Sequence, residues 1–175
     1  MRRVVCMAIL ILLNYVLQST IFIRFSIQGV TLDTAVIFIV SYGILRGDIE
    51  GAIFGFFAGL THDLFGSQFV GLHAMLGMSV GFVAGKPFKD YFKDNYLLPL
   101  GMVAMATIAY QFAFFFVNFL LGFRSAENFW FYLRFIIFPK TIYTASMTIP
   151  LYSLLYVINR KIEASENDRR NLFAE

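Results

Sequence analysis

Five ionisable side chains lie at or near the ends of strongly apolar segments in this 175-residue chain. Charged groups close to the hydrocarbon of a bilayer are costly, so they are kept for pairing, for polar cavities or for function. Acids and bases at one membrane depth can neutralise each other. We therefore expect a polar cluster or a cavity that opens to one side of a membrane. Its candidate members are Asp33, Asp63, His73, Arg134 and Lys140.

Catalysis or metal binding would need a tighter pattern than this set provides. His62, Asp63 and His73 offer imidazole and carboxylate groups, but they form no His-Glu-x-x-His helix, and no second carboxylate lies nearby in sequence. The chain also has no Gly-x-Ser-x-Gly elbow, no Walker loop and no dinucleotide fingerprint. We expect neither an enzyme nor a bound metal or other cofactor.

Composition indicates a membrane protein. Hydrophobic residues make up 59% of the chain and charged residues 14%, and the mean hydropathy is +0.71, which lies outside the usual range of soluble domains. The net charge of +3 could suggest nucleic acid, but the basic residues flank apolar spans, where they set topology. We expect a lipid bilayer around the chain and no nucleic acid partner.

The predicted fold is all-α, a polytopic membrane protein of six transmembrane helices within residues 1–158. A span needs about 20 apolar residues, and the third predicted span is the shortest. Residues 159–175 are predicted to form a charged cytoplasmic tail that frays and loses order. The predicted spans cover about 4–23, 30–45, 51–65, 69–85, 97–121 and 135–158.

Basic residues are distributed unevenly between the two predicted faces. By the positive-inside rule the richer face is cytoplasmic, so both termini lie inside and the five ionisable residues lie toward the outer face. Lys140 lies about four residues inside the sixth span, roughly 6 Å along its axis. It can therefore join the cluster or snorkel outward. The richer face carries Arg2, Arg3, Arg46, Lys86, Lys89, Lys93, Arg160, Lys161, Arg169 and Arg170; the other carries Arg24, Arg124 and Arg134.

Glycines recur every four residues in the third and fourth spans. In a membrane helix this spacing removes side chains from one stripe and lets another helix backbone come close. The spacing predicts close packing of the third and fourth helices against each other, or a groove for a partner helix. The glycines are Gly47, Gly51, Gly55 and Gly59, followed by Gly77, Gly81 and Gly85.

These motifs together resemble the bacterial rod shape-determining protein MreD family. The family pattern opens its second span with Pro-Asp-Leu, and Leu32 here stands in place of the proline. The likeness covers most of the chain. It is carried by Leu32-Asp33, by Gly55-Phe56-Phe57-Ala58-Gly59-Leu60-Thr61-His62-Asp63-Leu64, by Gly66-Ser67, by Gly71-Leu72-His73-Ala74, and by Arg134, Pro139, Tyr143 and Pro150 in the sixth span.

The resemblance implies a non-enzymatic scaffold in the bacterial inner membrane that serves cell elongation. Such proteins work with the single-span protein MreC, with MreB filaments, and with RodA and a class B penicillin-binding protein. On this view the glycine stripes could receive the MreC transmembrane helix, and a homo-oligomer is possible. The family is also similar to the S components of energy-coupling-factor vitamin transporters, which implies an S-component-like bundle. The alternative function is therefore a vitamin-binding S component with an outward polar cavity.

Overall fold

The computed structural model describes residues 2–21, 32–66, 71–86, 97–121 and 129–172. These residues form six continuous helical segments and contain no strand, which confirms the predicted all-α class. The helices are α1 (Arg2–Val16), α2 (Thr34–Arg46), α3 (Asp48–Gly66), α4 (Leu72–Gly85), α5 (Leu97–Leu120), α6 (Phe129–Tyr132) and α7 (Phe138–Leu172). A π-helical turn (Leu17–Ile21) continues α1, and a second one (Leu133–Ile137) joins α6 to α7.

Helix α2 forms the centre of the bundle. Every residue from Thr34 to Leu45 except Tyr42 is buried, as expected of a helix that is apolar around its whole circumference. Helices α3, α4, α5 and α7 all pack against it, while α1 packs mainly on α3. The polar residues of the other helices are therefore arranged around an apolar axis.

The outside of the bundle is apolar. Within the described residues, two helical stretches are long and apolar enough to cross a membrane, Leu98–Leu120 and Phe129–Arg160, and three shorter apolar helices accompany them. Large apolar side chains also project outward from α1, α3, α4, α5 and α7, and exposed apolar surface on this scale marks contact with lipid or with other proteins. Examples are Leu12, Phe57, Val83, Met105 and Phe138.

Several predicted boundaries differ from the structure, among them the starts of the second, third and sixth spans. The third predicted span begins at residue 51, but α3 begins at Asp48 and has 19 residues. The carboxylates of Asp48 and Glu50 fall in its first turn, where negative charge stabilises a helix start. The third span is predicted to be the shortest, but among the described helices that correspond to predicted spans the shortest is α2, with 13 residues.

A further difference concerns the end of the sixth predicted span. That span is predicted to end at residue 158, whereas helix α7 continues to Leu172, within the segment predicted to be a frayed helix end. Glu and Arg, which recur in this segment, are good helix formers. Parts of three predicted spans, residues 22–23, 30–31 and 69–70, lie outside the described residues.

Candidate functional site

The carboxylate of Asp63 caps the start of helix α4. Asp63 lies one turn before the end of α3 and is 2% exposed. Its Oδ2 accepts hydrogen bonds from the backbone N–H groups of Gly71 (2.8 Å) and Ala74 (3.1 Å), and its Oδ1 accepts one from the N–H of His73 (3.2 Å). Gly71 has a φ of 101°, which glycine adopts at little cost. The carboxylate thus accepts hydrogen bonds from N–H groups that have no partner within the helix, at a helix N-terminus, where negative charge is stabilised.

His73 links this cap to the rest of the bundle. Its Nδ1 lies 2.7 Å from Asp63 Oδ1. Its ring stacks on the His62 ring with 4.5 Å between centroids and also contacts the rings of Tyr110 and Phe114 on α5. The Tyr110 hydroxyl lies 3.5 Å from the backbone oxygen of His73. The imidazole of His73 therefore packs among three other rings, one on α3 and two on α5.

His62 extends the polar contacts toward α1 and α2. Its Nε2 lies 3.2 Å from Nε2 of Gln18, which is in the π-helical turn after α1. Gln18 Oε1 in turn accepts a hydrogen bond of 3.1 Å from the hydroxyl of Thr34, the first residue of α2. The Nδ1 atom of His62 is buried and has no hydrogen-bond partner within the described part of the chain.

Asp33, directly before Thr34, forms an ion pair with the first turn of α7. The distance from Lys140 Nζ to Asp33 Oδ2 is 3.1 Å, and the two side chains are only 17% and 9% exposed. Of the two predicted alternatives for Lys140, the structure shows the paired one, because its ammonium group binds Asp33. Removing one partner of a buried pair leaves an uncompensated charge, which is strongly destabilising.

The structure thus joins four of the five predicted residues through three others. We call the seven residues Gln18, Asp33, Thr34, His62, Asp63, His73 and Lys140 the buried polar network. The fifth predicted residue, Arg134, lies in the π-helical turn between α6 and α7 with its side chain exposed, so it lies outside the buried network.

In this network, acidic and basic groups are paired with each other instead of being available to a substrate. Each carboxylate contacts a base and the network ties α1, α2, α3, α4 and α7 together near one end of the bundle. Within the described residues, no group of three or more His, Cys, Asp or Glu side chains is arranged to hold a metal ion. The arrangement fits a structural brace better than a reactive centre.

The two glycine stripes face each other. An added Cβ on Gly55 would meet the backbone of Gly77, and one on Gly51 would lie 2.6 Å from the carbonyl oxygen of Gly81. Real Cβ atoms essentially never approach other atoms within 3.0 Å. On Gly59, an added Cβ would meet the backbone of His73 and Ala74, next to the polar network. The backbones of α3 and α4 are therefore in direct contact.

The ends of the stripes show two differences from the predicted arrangement. Gly47 lies in the link between α2 and α3 with a φ of 102°, and an added Cβ on Gly85 would meet this link. Gly43 of α2, which the sequence analysis missed, also belongs to the contact, since an added Cβ on Gly51 would lie 2.7 Å from its Cα. Gly43 precedes Gly47 by four residues, so the same spacing could have identified it.

The hypothesis that these stripes receive a partner helix is corrected by this geometry. From Gly51 to Gly59 in α3, the glycine face lies against α4 backbone atoms at distances that exclude even a methyl group. A partner helix could enter only by separating α3 from α4. The stripes hold the chain's own helices together, which was the first of the two predicted roles.

Comparison with known protein families decides the family. The model of the rod shape-determining protein MreD family matches residues 1–162. The chain belongs to the MreD family. No match was found among curated proteins or solved structures. Proteins of the MreD family are membrane proteins that determine rod shape, which confirms the resemblance drawn from the sequence motifs. The match covers both glycine stripes and all seven residues of the buried polar network.

Proposed function

We propose that this chain is a non-enzymatic, multi-pass scaffold of the cell-elongation machinery in the bacterial inner membrane. The observation that carries the proposal is the MreD family match over residues 1–162. Its proposed role is to bind MreC and to couple MreB filaments to peptidoglycan synthesis by RodA and a class B penicillin-binding protein.

The proposed topology has six spans and both termini in the cytoplasm. It is supported by the six helical segments and by the excess of Lys and Arg on one predicted face. In this orientation the buried polar network lies near the outer face. Pairs such as Asp33 with Lys140 then remove net charge from a depth at which lone charges are costly.

The internal contacts support a scaffold more than a solute carrier. Asp63 is satisfied by the start of α4 and by His73, and Asp33 is paired with Lys140. A rigid bundle of this kind can present a constant lipid-facing surface to a partner. Because the glycine stripes are occupied within the chain, we propose that the MreC transmembrane helix docks on lipid-facing side chains.

Replacement of the gene for this chain tests the function in cells. The organism that carries this chain would be depleted of it and supplied with the wild-type gene or with a Lys140→Met variant, which leaves Asp33 unpaired. We expect rods with the wild-type gene, and rounded cells with the variant at equal or lower protein levels. Rods that persist without any copy of the gene would contradict the proposal.

A second measurement separates the scaffold from a vitamin-binding component. A ligand that binds only the folded state raises its stability by RT ln(1 + [L]/Kd), where [L] is the free ligand concentration. We expect no vitamin-dependent shift in the melting temperature of the purified chain. A shift that grows with the concentration of one vitamin, and that Lys140→Met abolishes in a variant that still folds, would contradict a scaffold without a ligand.

A further inference from the structure

An apolar groove separates helices α4 and α5 on the side of the bundle away from the α3 contact. It has a volume of about 440 Å³, within the range of about 300–1,000 Å³ that is typical of small-molecule sites. Val40 of α2 forms its floor, while Val83 and Met105 on its walls are exposed. The groove therefore opens sideways, onto the surface that faces lipid in the proposed topology.

The lining offers no polar atom that needs a ligand. The Ser79 hydroxyl already donates to the backbone oxygen of Met75 at 2.9 Å. The Tyr110 hydroxyl is directed to the backbone oxygen of His73 at 3.5 Å. The remaining lining residues are aliphatic or thioether side chains. An apolar occupant fits such a surface, because it gives up no hydrogen bonds on entering.

The length of the groove distinguishes between an acyl chain and a helix. Its lining extends from Leu76 to Ala84 on α4 and from Met102 to Ala113 on α5, which correspond to about 12 Å and 16 Å at 1.5 Å per residue. One leaflet contributes about half of the 30 Å hydrocarbon core. The groove is therefore about as long as the acyl chain of one leaflet, and shorter than the roughly 30 Å along which a transmembrane helix would pack.

The two ends of the groove differ in chemistry. At one end, the rings of His73, Tyr110 and Phe114 pack together and close it. At the other end, Lys86 follows the lining residue Val83 by three positions and is exposed, with its ammonium group 4.3 Å from the centre of the Phe82 ring. The lining ends at Ala84 on α4, so the exposed positive charge of Lys86 lies two residues beyond this end of the groove.

We propose that the α4–α5 groove binds one phospholipid with an anionic headgroup, its acyl chain along Val80, Ala106 and Ala109 and its headgroup at Lys86. The charge complementarity with Lys86 and the one-leaflet length carry the proposal. The site adjoins the buried polar network only through the His73 ring at its closed end, and the proposal does not depend on MreC binding.

Native mass spectrometry of the purified full chain tests the site. The probes are phosphatidylglycerol and phosphatidylcholine with identical acyl chains. A lysine near a membrane surface contributes about 1 kcal/mol to binding of anionic lipid, or about fivefold in affinity. We expect about fivefold tighter binding of phosphatidylglycerol to the wild type. Lys86→Gln should remove this preference, and Arg134→Gln, at an exposed base outside the groove, should retain it.

A second pair of variants tests the groove itself. Ala109→Phe places a ring in the groove at an exposed position, and Ile108→Phe places the same ring on the neighbouring exposed position outside the lining. We expect Ala109→Phe alone to abolish the tightly bound lipid. The proposal is overturned if both variants bind lipid as the wild type does, or if neither lipid binds above bulk occupancy. It is also overturned if Ala109→Phe prevents the binding of a partner helix while lipid binding is unchanged.

Discussion

Replacement of Gly55 by Ala perturbs the α3–α4 contact at its most crowded point. The added Cβ would lie 2.5 Å from the carbonyl carbon of Gly77, and closer still to its oxygen. Favourable contacts between carbon atoms lie at about 3.5–4.0 Å, so the helices must separate by about 1 Å. The obstacle is backbone, so no side-chain rotation can relieve it.

The magnitude follows from two opposing effects. Forcing an extra methyl group into a packed interior costs about 1–3 kcal/mol. Ala gains about 0.5–1 kcal/mol over Gly in a helix because it loses less backbone freedom on folding. Gly101 of α5 isolates this second effect, since an added Cβ there meets nothing within 4 Å. We therefore expect Gly55→Ala to be about 1–3 kcal/mol less stable than Gly101→Ala.

The assay is the free energy of unfolding of the two variants in mixed micelles, followed by circular dichroism during titration with a denaturing detergent. Gly101→Ala should equal or slightly exceed the wild type. Gly55→Ala should unfold at a lower fraction of denaturing detergent than Gly101→Ala does. If the two variants have equal stability, the backbones of α3 and α4 are not in contact at Gly55 and our account of the glycine stripes fails.

Three further predictions concern side chains that join helices. Asp63→Asn keeps the size of the side chain but not its capping charge, and should lower the free energy of unfolding by about 1–3 kcal/mol; wild-type stability would rule out the cap. Lys140→Met should lower the free energy of unfolding by about 3–5 kcal/mol, because it leaves the buried carboxylate of Asp33 without its partner. In a double-mutant cycle, adding Asp33→Asn should recover part of this loss. Additive losses would show that the pair does not interact. Tyr132→Phe removes a hydrogen bond of 3.1 Å to Gln111 and should cost about 0.5–1.5 kcal/mol in the same titration; an unchanged midpoint would count against that bond.

The glycine contact could be predicted because spacing alone determines which residues share a helix face. A four-residue repeat in two consecutive helices puts a smooth stripe on each, and close packing follows. The repeat did not reveal that Gly47 leaves the helix, because its positive φ depends on the turn between α2 and α3. Gly43 was missed because the repeat was counted only from Gly47 onward, although α2 takes part in the same contact.

The polar network could be predicted only in part, since hydropathy and charge counting give depth along the membrane normal and not direction around each helix. Depth correctly brought Asp33 and Lys140 together. It also grouped Arg134 with them, although rotation of its helix leaves that side chain exposed. His62 and Gln18 are neutral or weakly basic, so a search for charges passes over them as links of the network.

Co-purification with MreC tests the central claim, that this chain is a scaffold of the rod complex, most directly. An affinity-tagged chain and untagged MreC would be expressed together and extracted in a mild detergent, with the MreC recovered per copy of the chain measured by quantitative mass spectrometry. A polytopic membrane protein of unrelated function is the control. We predict recovery of MreC in a fixed ratio to the chain. Recovery no greater than with the control protein, from membranes in which both partners are folded, would contradict the account.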